Sequence, residues 1–220
     1  MSRRILVVNA DDLGYDPEID RGILEAHRSG LVTSASAMVD TPFAARALGE
    51  APASLSLGLH AVLAPRLDAA RAREEIERQL ERFQRLRGRL PSHLDTHRHA
   101  HAAPAVLQAL ASVAGPRRLH ARALDAAMRE ALRAEGVPTA DHFLGDAAAR
   151  PCWTLPRLLA ALGSLPEGTT ELMCHPGYRP TQASTSFGAE REVELRALTD
   201  PRALEAARAS GASLVPFGGP

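Results

Sequence analysis

Four stretches of this 220-residue chain carry side chains able to do acid–base or metal chemistry. "LVVNADDLGY" (6–15) ends an apolar run in two adjacent carboxylates, Asp11 and Asp12. Like charges side by side are costly once desolvated, so a cation, a ring of donors or bulk water must hold them. "GLH" (58–60) ends another apolar run in His60. "HLDTHRHAH" (93–101) contains four of the chain's nine histidines together with Asp95. If it stays extended, His93, Asp95, His97, His99 and His101 all project to one face. "MCHPGY" (173–178) places His175 directly before Pro176 and Gly177, which force a sharp turn and fix the imidazole.

Each stretch alone has a bland reading: a turn or helix cap at Asp11-Asp12, a core histidine at 60, a solvated loop at 93–101. Together they fit one chemistry. One carboxylate and two imidazoles bind a divalent ion and leave positions open for water and substrate. The other carboxylate can take a proton from that water, and a histidine across the site can give one to a leaving group. On this reading Asp12 faces the metal and Asp11 the water. Two imidazoles and a carboxylate suit zinc, manganese or cobalt better than magnesium, which prefers oxygen.

Elements that could position these groups alternate along the chain. Residues 4–9 hold a continuous apolar run rich in β-branched residues, Ile5 to Val8, as in a strand buried on both faces. The spacing predicts a helix over 17–28, with Asp16 as N-cap, Pro17 at the first position and Gly30 as the stop. Further strands are expected at 32–40, 54–63, from 91 into a loop ending at 101, and at 117–122, 139–145, 169–175 and 213–217. Helices are expected at 41–51, 66–88, 103–114, 125–136, 155–163 and from 188 to 209. This order argues α/β with a parallel sheet. An open doubly wound sheet competes with a (β/α) barrel, for which the chain is slightly short. Asp11, Asp12, His60, His97 and His175 all fall at C-terminal ends of predicted strands. A barrel gathers such ends around one mouth, so a TIM-like (β/α) barrel, incomplete or distorted, is expected in a single domain spanning 1–220.

Composition removes other classes of function. Basic and acidic residues balance at 26 each and aromatics make up 4%, which leaves no field or stacking platform for nucleic acid. No run approaches the roughly 18 apolar residues of a membrane span, and the start does not read as a signal peptide. Cys152 and Cys174 form neither a metal-binding spacing nor a disulfide framework. A cytoplasmic protein is the expectation.

In chain order, "VNADDLG", "GLVTSASAMV", "LGLH", "HLDTHRHAH" and "MCHPGY" resemble the YdjC-like carbohydrate deacetylases, the ChbG/HpnK family. The resemblance spans nearly the whole chain. It implies a barrel-like deacetylase fold, removal of acetyl groups from N-acetylated sugars, a divalent cation taken to be magnesium, and a homodimer. Carried over position by position, it makes Asp12, His60 and His97 the metal ligands, Asp11 the catalytic base and His175 the acid. Asp95 then orients His97 or a neighbouring ring, and His99 and His101 bind substrate hydroxyls or shape the loop. Only 36 residues separate His60 from His97, fewer than in members that act on chito-oligosaccharides. That shortening affects the mouth and hence the choice of sugar. A non-catalytic sugar-binding or regulatory protein of the same fold, and a hydrolase of cyclic amides or phosphate esters, are the alternatives.

Overall fold

The structure is a computed structural model and describes residues 3–145 and 150–219. The described residues form eight parallel strands: β1 (Arg4–Leu13), β2 (Ser34–Ala37), β3 (Ser56–Ala61), β4 (His93–Thr96), β5 (His120–Ala121), β6 (His142–Leu144), β7 (Gly168–Cys174) and β8 (Ser213–Leu214). Helices α1 (Pro17–Ser29), α2 (Ala44–Glu50), α3 (Ala69–Arg87), α4 (Pro104–Ala114), α5 (Ala126–Ala134) and α6 (Leu155–Gly163) fall between them, and α7 (Ala189–Thr199) and α8 (Pro201–Ala209) precede β8. The strands pair in the order β5-β4-β3-β2-β1-β7-β6. No pairing joins β5 to β6 among the described residues, so the expected barrel is open along that seam. β8 pairs Ile5 and Leu6 of β1, whereas β2 takes over from Asn9. The last strand therefore wedges between β1 and β2 at the end of the barrel opposite the mouth.

Local chemistry explains most boundaries. Asp16 accepts from the Glu18 backbone N–H and Pro17 opens α1, as the sequence predicts. The single helix expected from 188 to 209 divides, because Pro201 has no N–H and holds Asp200 extended at ψ 131°. The predicted strands at 117–122 and 213–217 shrink to two residues each.

One expectation fails in an informative way. The 93–101 stretch does not stay extended: β4 stops at Thr96 and residues 97–102 form 3-10 turns, with Arg98 and His99 left-handed at φ 55° and 52°. Its histidines therefore separate. His93 lies deep in the barrel, stacked on Phe217 with ring centroids 4.2 Å apart. The absence of a side chain at Gly58 makes that possible, since a Cβ there would sit 2.3 Å from His93 Nε2. His101 is fully buried and bonded to Thr96 Oγ1, so it shapes the turn.

Candidate active site

Adjacent residues of a strand point to opposite faces, so Asp11 and Asp12 should diverge. They do not, because β1 bulges there. Ala10 pairs with Ala35 and Leu13 with Ala37, which sets three steps on β1 against two on β2. Asp12 takes up the extra residue with φ 75°, a left-handed conformation that aspartate tolerates better than most side chains. Both carboxylates are thereby delivered to the mouth, each 2% exposed.

Asp12 meets the imidazoles. Its Oδ1 lies 3.3 Å from His60 Nε2 and 3.3 Å from His97 Nδ1, and those two nitrogens are 3.3 Å apart. Asp12 Oδ1 is buried and has no hydrogen-bond partner among the described residues. His60 Nδ1 is bonded to Asp95 Oδ1 at 2.6 Å, so Asp95 orients His60 rather than His97. A proton held on Nδ1 by that carboxylate leaves the Nε2 lone pair facing the cluster. Three donors converging at these separations fit a divalent ion with bonds of about 2.0–2.2 Å. Without an ion, burial works against charge on His60, but Asp95 and Asp11 outweigh it and raise its pKa to about 10. Burial likewise opposes the charge of Asp12, but Arg191, with Nη2 2.5 Å from Oδ2, together with His60 and His97 more than offsets it and holds the carboxyl well below the usual range.

Asp11 is held by donors instead. Arg122 grips it with two bonds of 2.7 Å, Asn9 Nδ2 donates at 2.9 Å and Ser36 Oγ at 3.2 Å. Burial pushes its pKa up, yet Arg122 prevails and keeps it ionised far below the normal carboxylate range. The same guanidinium reaches Asp95 at 2.9 Å and Glu171 at 2.7 Å. His175 Nε2 lies 3.9 Å from Asp11 Oδ2, and its ring is 19% exposed toward the cavity. Burial lowers the His175 pKa although the Asp11 and Glu194 charges act the other way.

All five predicted residues thus gather at one mouth, around a cavity of about 130 Å³. That is below the ~300–1,000 Å³ of sites enclosing a drug-sized ligand. Its outer wall is the segment that follows β7, which contributes Thr185, Ser186 and Phe187. Asp16 ties that wall down: Oδ2 accepts from the backbone N–H groups of Thr181, Gln182 and Ala183 at 3.1, 2.7 and 2.8 Å. Tyr15 adds a bond from its hydroxyl to Ser184 O at 2.8 Å.

Sequence reasoning missed Arg122 and Arg191. Arg122 directly follows β5, at the strand end where the other groups were found, so the same rule could have found it. Arg191 had no such signal. It sits in the charged run "GAEREVELR", which reads as a solvated helix face, yet it is 1% exposed.

Strand ends of one parallel barrel converging on carboxylates and imidazoles define an enzyme that works at its C-terminal mouth. The chain belongs to the YdjC-like protein family, whose model matches residues 5–67 and 62–209. A carbohydrate deacetylase of Geobacillus stearothermophilus is 33% identical over 244 residues, covering 97% of each chain. That alignment is longer than this chain, so the relative carries at least two dozen residues with no counterpart here. A chitooligosaccharide deacetylase of Salmonella paratyphi B is 30% identical, covering 80% of this chain and 82% of its own. A crystal structure from Enterococcus faecalis V583, of a protein named for cellobiose-phosphate cleavage, superposes with a TM-score of 0.89 at 25% identity, covering 99% of this chain and 98% of that one.

Proposed function

We propose that this protein hydrolyses the acetamide of an N-acetylated amino sugar or its glycoconjugate, releasing acetate. The observation that carries the reading is the Asp12–His60–His97 triangle with the Asp11–His175 pair beside it. Relatives named as carbohydrate deacetylases support the substrate class. Asp12, His60 and His97 would hold a divalent cation, and that ion would supply a Lewis acid for the amide carbonyl and its developing negative charge. The donor set suits zinc, manganese or cobalt, whereas the family resemblance implies magnesium, so a site of loose metal identity is proposed.

Asp11 takes the proton of the attacking water. The Arg122 fork keeps it ionised between turnovers and fixes the direction of its free lone pairs. His175 delivers a proton to the amine nitrogen, which leaves poorly as an anion. A cytoplasmic location belongs to the same proposal.

Acetate release from a panel of N-acetylated sugars, set beside lactams and phosphate esters, tests the reaction class. Turnover on lactams or phosphate esters alone would overturn it, and so would active enzyme without any divalent ion by elemental analysis. Asp11→Asn should retain the metal and lose about 10²–10⁴-fold in rate. His175→Ala should lose a similar factor on acetamides and far less on an activated aryl ester, whose leaving group needs no proton. Equal losses on both substrates in a folded, metal-loaded variant would remove His175 from the acid role.

A further inference from the structure

His175 also belongs to a second group of metal-ligating side chains, whose other two members, Cys152 and Glu194, the proposed reaction does not use. Donor atoms of Cys152, His175 and Glu194 lie within 4.8 Å of one another. Cys152 is 1% exposed and Glu194 fully buried, yet Cys152 also lines the active-site cavity, so an ion entering by the mouth can reach it. The two nitrogens of His175 differ in their partners. Nε2 faces Asp11, whereas Nδ1 is buried without a hydrogen-bond partner among the described residues. Glu194 fixes the other two members through their backbones, accepting from Cys152 N–H at 2.9 Å and from His175 N–H at 2.7 Å. A carboxylate oxygen with one such bond keeps a lone pair for a cation.

We propose that Cys152, His175 and Glu194 form a second divalent-cation site, selective for zinc, whose occupation withdraws His175 from proton transfer. The selectivity follows from sulfur. Thiolate with imidazole and carboxylate is a zinc-type donor set, while the Asp12–His60–His97 cluster has no sulfur and admits harder ions. Charge favours it too, because one divalent ion is balanced by a thiolate and a carboxylate in a buried place. Bonds of about 2.0–2.3 Å bring tetrahedral ligands to roughly 3.3–3.8 Å apart, so binding draws the group slightly closer. The S–H bond of Cys152 is replaced by a sulfur–zinc bond and its proton leaves to solvent, with no change in oxidation state. The Nδ1 lone pair goes to the ion, so His175 can no longer become the doubly protonated ring that donates to the amine. This inhibitory half rests on the acid role proposed above.

Cobalt provides the test, because only a thiolate ligand gives its complex an intense near-ultraviolet charge-transfer band. Protein holding one equivalent of cobalt should gain that band on a second equivalent and lose it when zinc is added. The band should be absent from Cys152→Ser and from Cys152→Ala, the alanine variant serving if serine disturbs the buried position. No band, or one that survives in both variants, overturns the site. In acetate-release assays, zinc beyond the first equivalent should slow the wild type by about tenfold or more, and each variant by less than about twofold relative to its own rate. A band without inhibition upholds the site and overturns the inhibitory half. A protein that shows the band but releases no acetate from any sugar under any metal overturns the deacetylase reading and leaves the site intact.

Discussion

Arg122 and Asp11 meet face to face, Nη1 on Oδ2 and Nη2 on Oδ1, both at 2.7 Å and both residues almost fully buried. The pair spans the barrel, since Arg122 follows β5 at one edge of the open seam and Asp11 lies near the end of β1, four strands away. Through Asp95 on β4 and Glu171 on β7 the same guanidinium touches two more strands. Among the described residues backbone pairing does not close the seam, and this ionic hub takes its place.

Replacing Arg122 should therefore cost stability as well as activity. Arg122→Met leaves three buried carboxylates around an apolar side chain, and removing one partner of a buried pair costs about 3–5 kcal/mol. Urea unfolding should show a loss of that order. Arg122→Lys should recover only part of it, because an ammonium cannot grip two oxygens in a plane. A loss below about 1 kcal/mol for the methionine variant would mean that the hub does not hold the seam.

Glu171 supplies a pH-dependent prediction. Burial raises its pKa from 4.5 to about 7 even though Arg122 acts against that rise, because the same arginine is shared with Asp95 and Asp11. A carboxyl whose folded pKa is raised contributes stability below its unfolded pKa and loses it as pH climbs through the folded one. That window here runs from about 4.5 to about 7. Glu171→Gln never ionises, so it should match the wild type near pH 4.5 and exceed it by about 1–3 kcal/mol above pH 7. Parallel stability curves for the two proteins across this range would refute the assignment.

The bond from His60 to Asp95 predicts a defect in metal retention. Partners that orient a ligating imidazole typically contribute 10–100-fold in metal affinity. Asp95→Asn should lose about that factor in competition with a chelator, while saturating metal restores much of the rate. Unchanged affinity would show that His60 needs no such partner.

What could be read in advance depended on how local each cause was. The strand ends carrying Asp11, His60 and His175 were legible from apolar runs ending in polar residues, and Pro17 and Gly30 marked α1. The 93–101 face was misread because alternation assumes an extended chain. Its left-handed turn at Arg98 and His99 carries neither glycine nor asparagine to announce it. The bulge that lets Asp11 and Asp12 face the same way depends on pairing with β2, and the roles of Arg122 and Arg191 on contacts over a hundred residues distant. No local pattern reports such partners.

Asp16 tests whether the cavity wall contributes to binding. One of its oxygens caps α1 and the other collects three consecutive backbone N–H groups from 181–183. Burial opposes its charge, but these donors prevail and lower its pKa, so it serves as an anion. Asparagine caps a helix about as well as aspartate, so Asp16→Asn can leave α1 intact. Its amide NH₂ would then face three donors it cannot satisfy, and the wall bearing Thr185, Ser186 and Phe187 should loosen. Contacts that bind substrate and transition state alike raise KM without changing kcat when they are lost. KM should therefore rise by about tenfold, with kcat held within about threefold and little change in the unfolding midpoint. A fall in kcat at constant KM would place the damage in the turn that Tyr15 N–H closes on Asp12 O at 3.1 Å, beside the Asp12–His60–His97 cluster, and would show that the wall does not contribute to substrate binding.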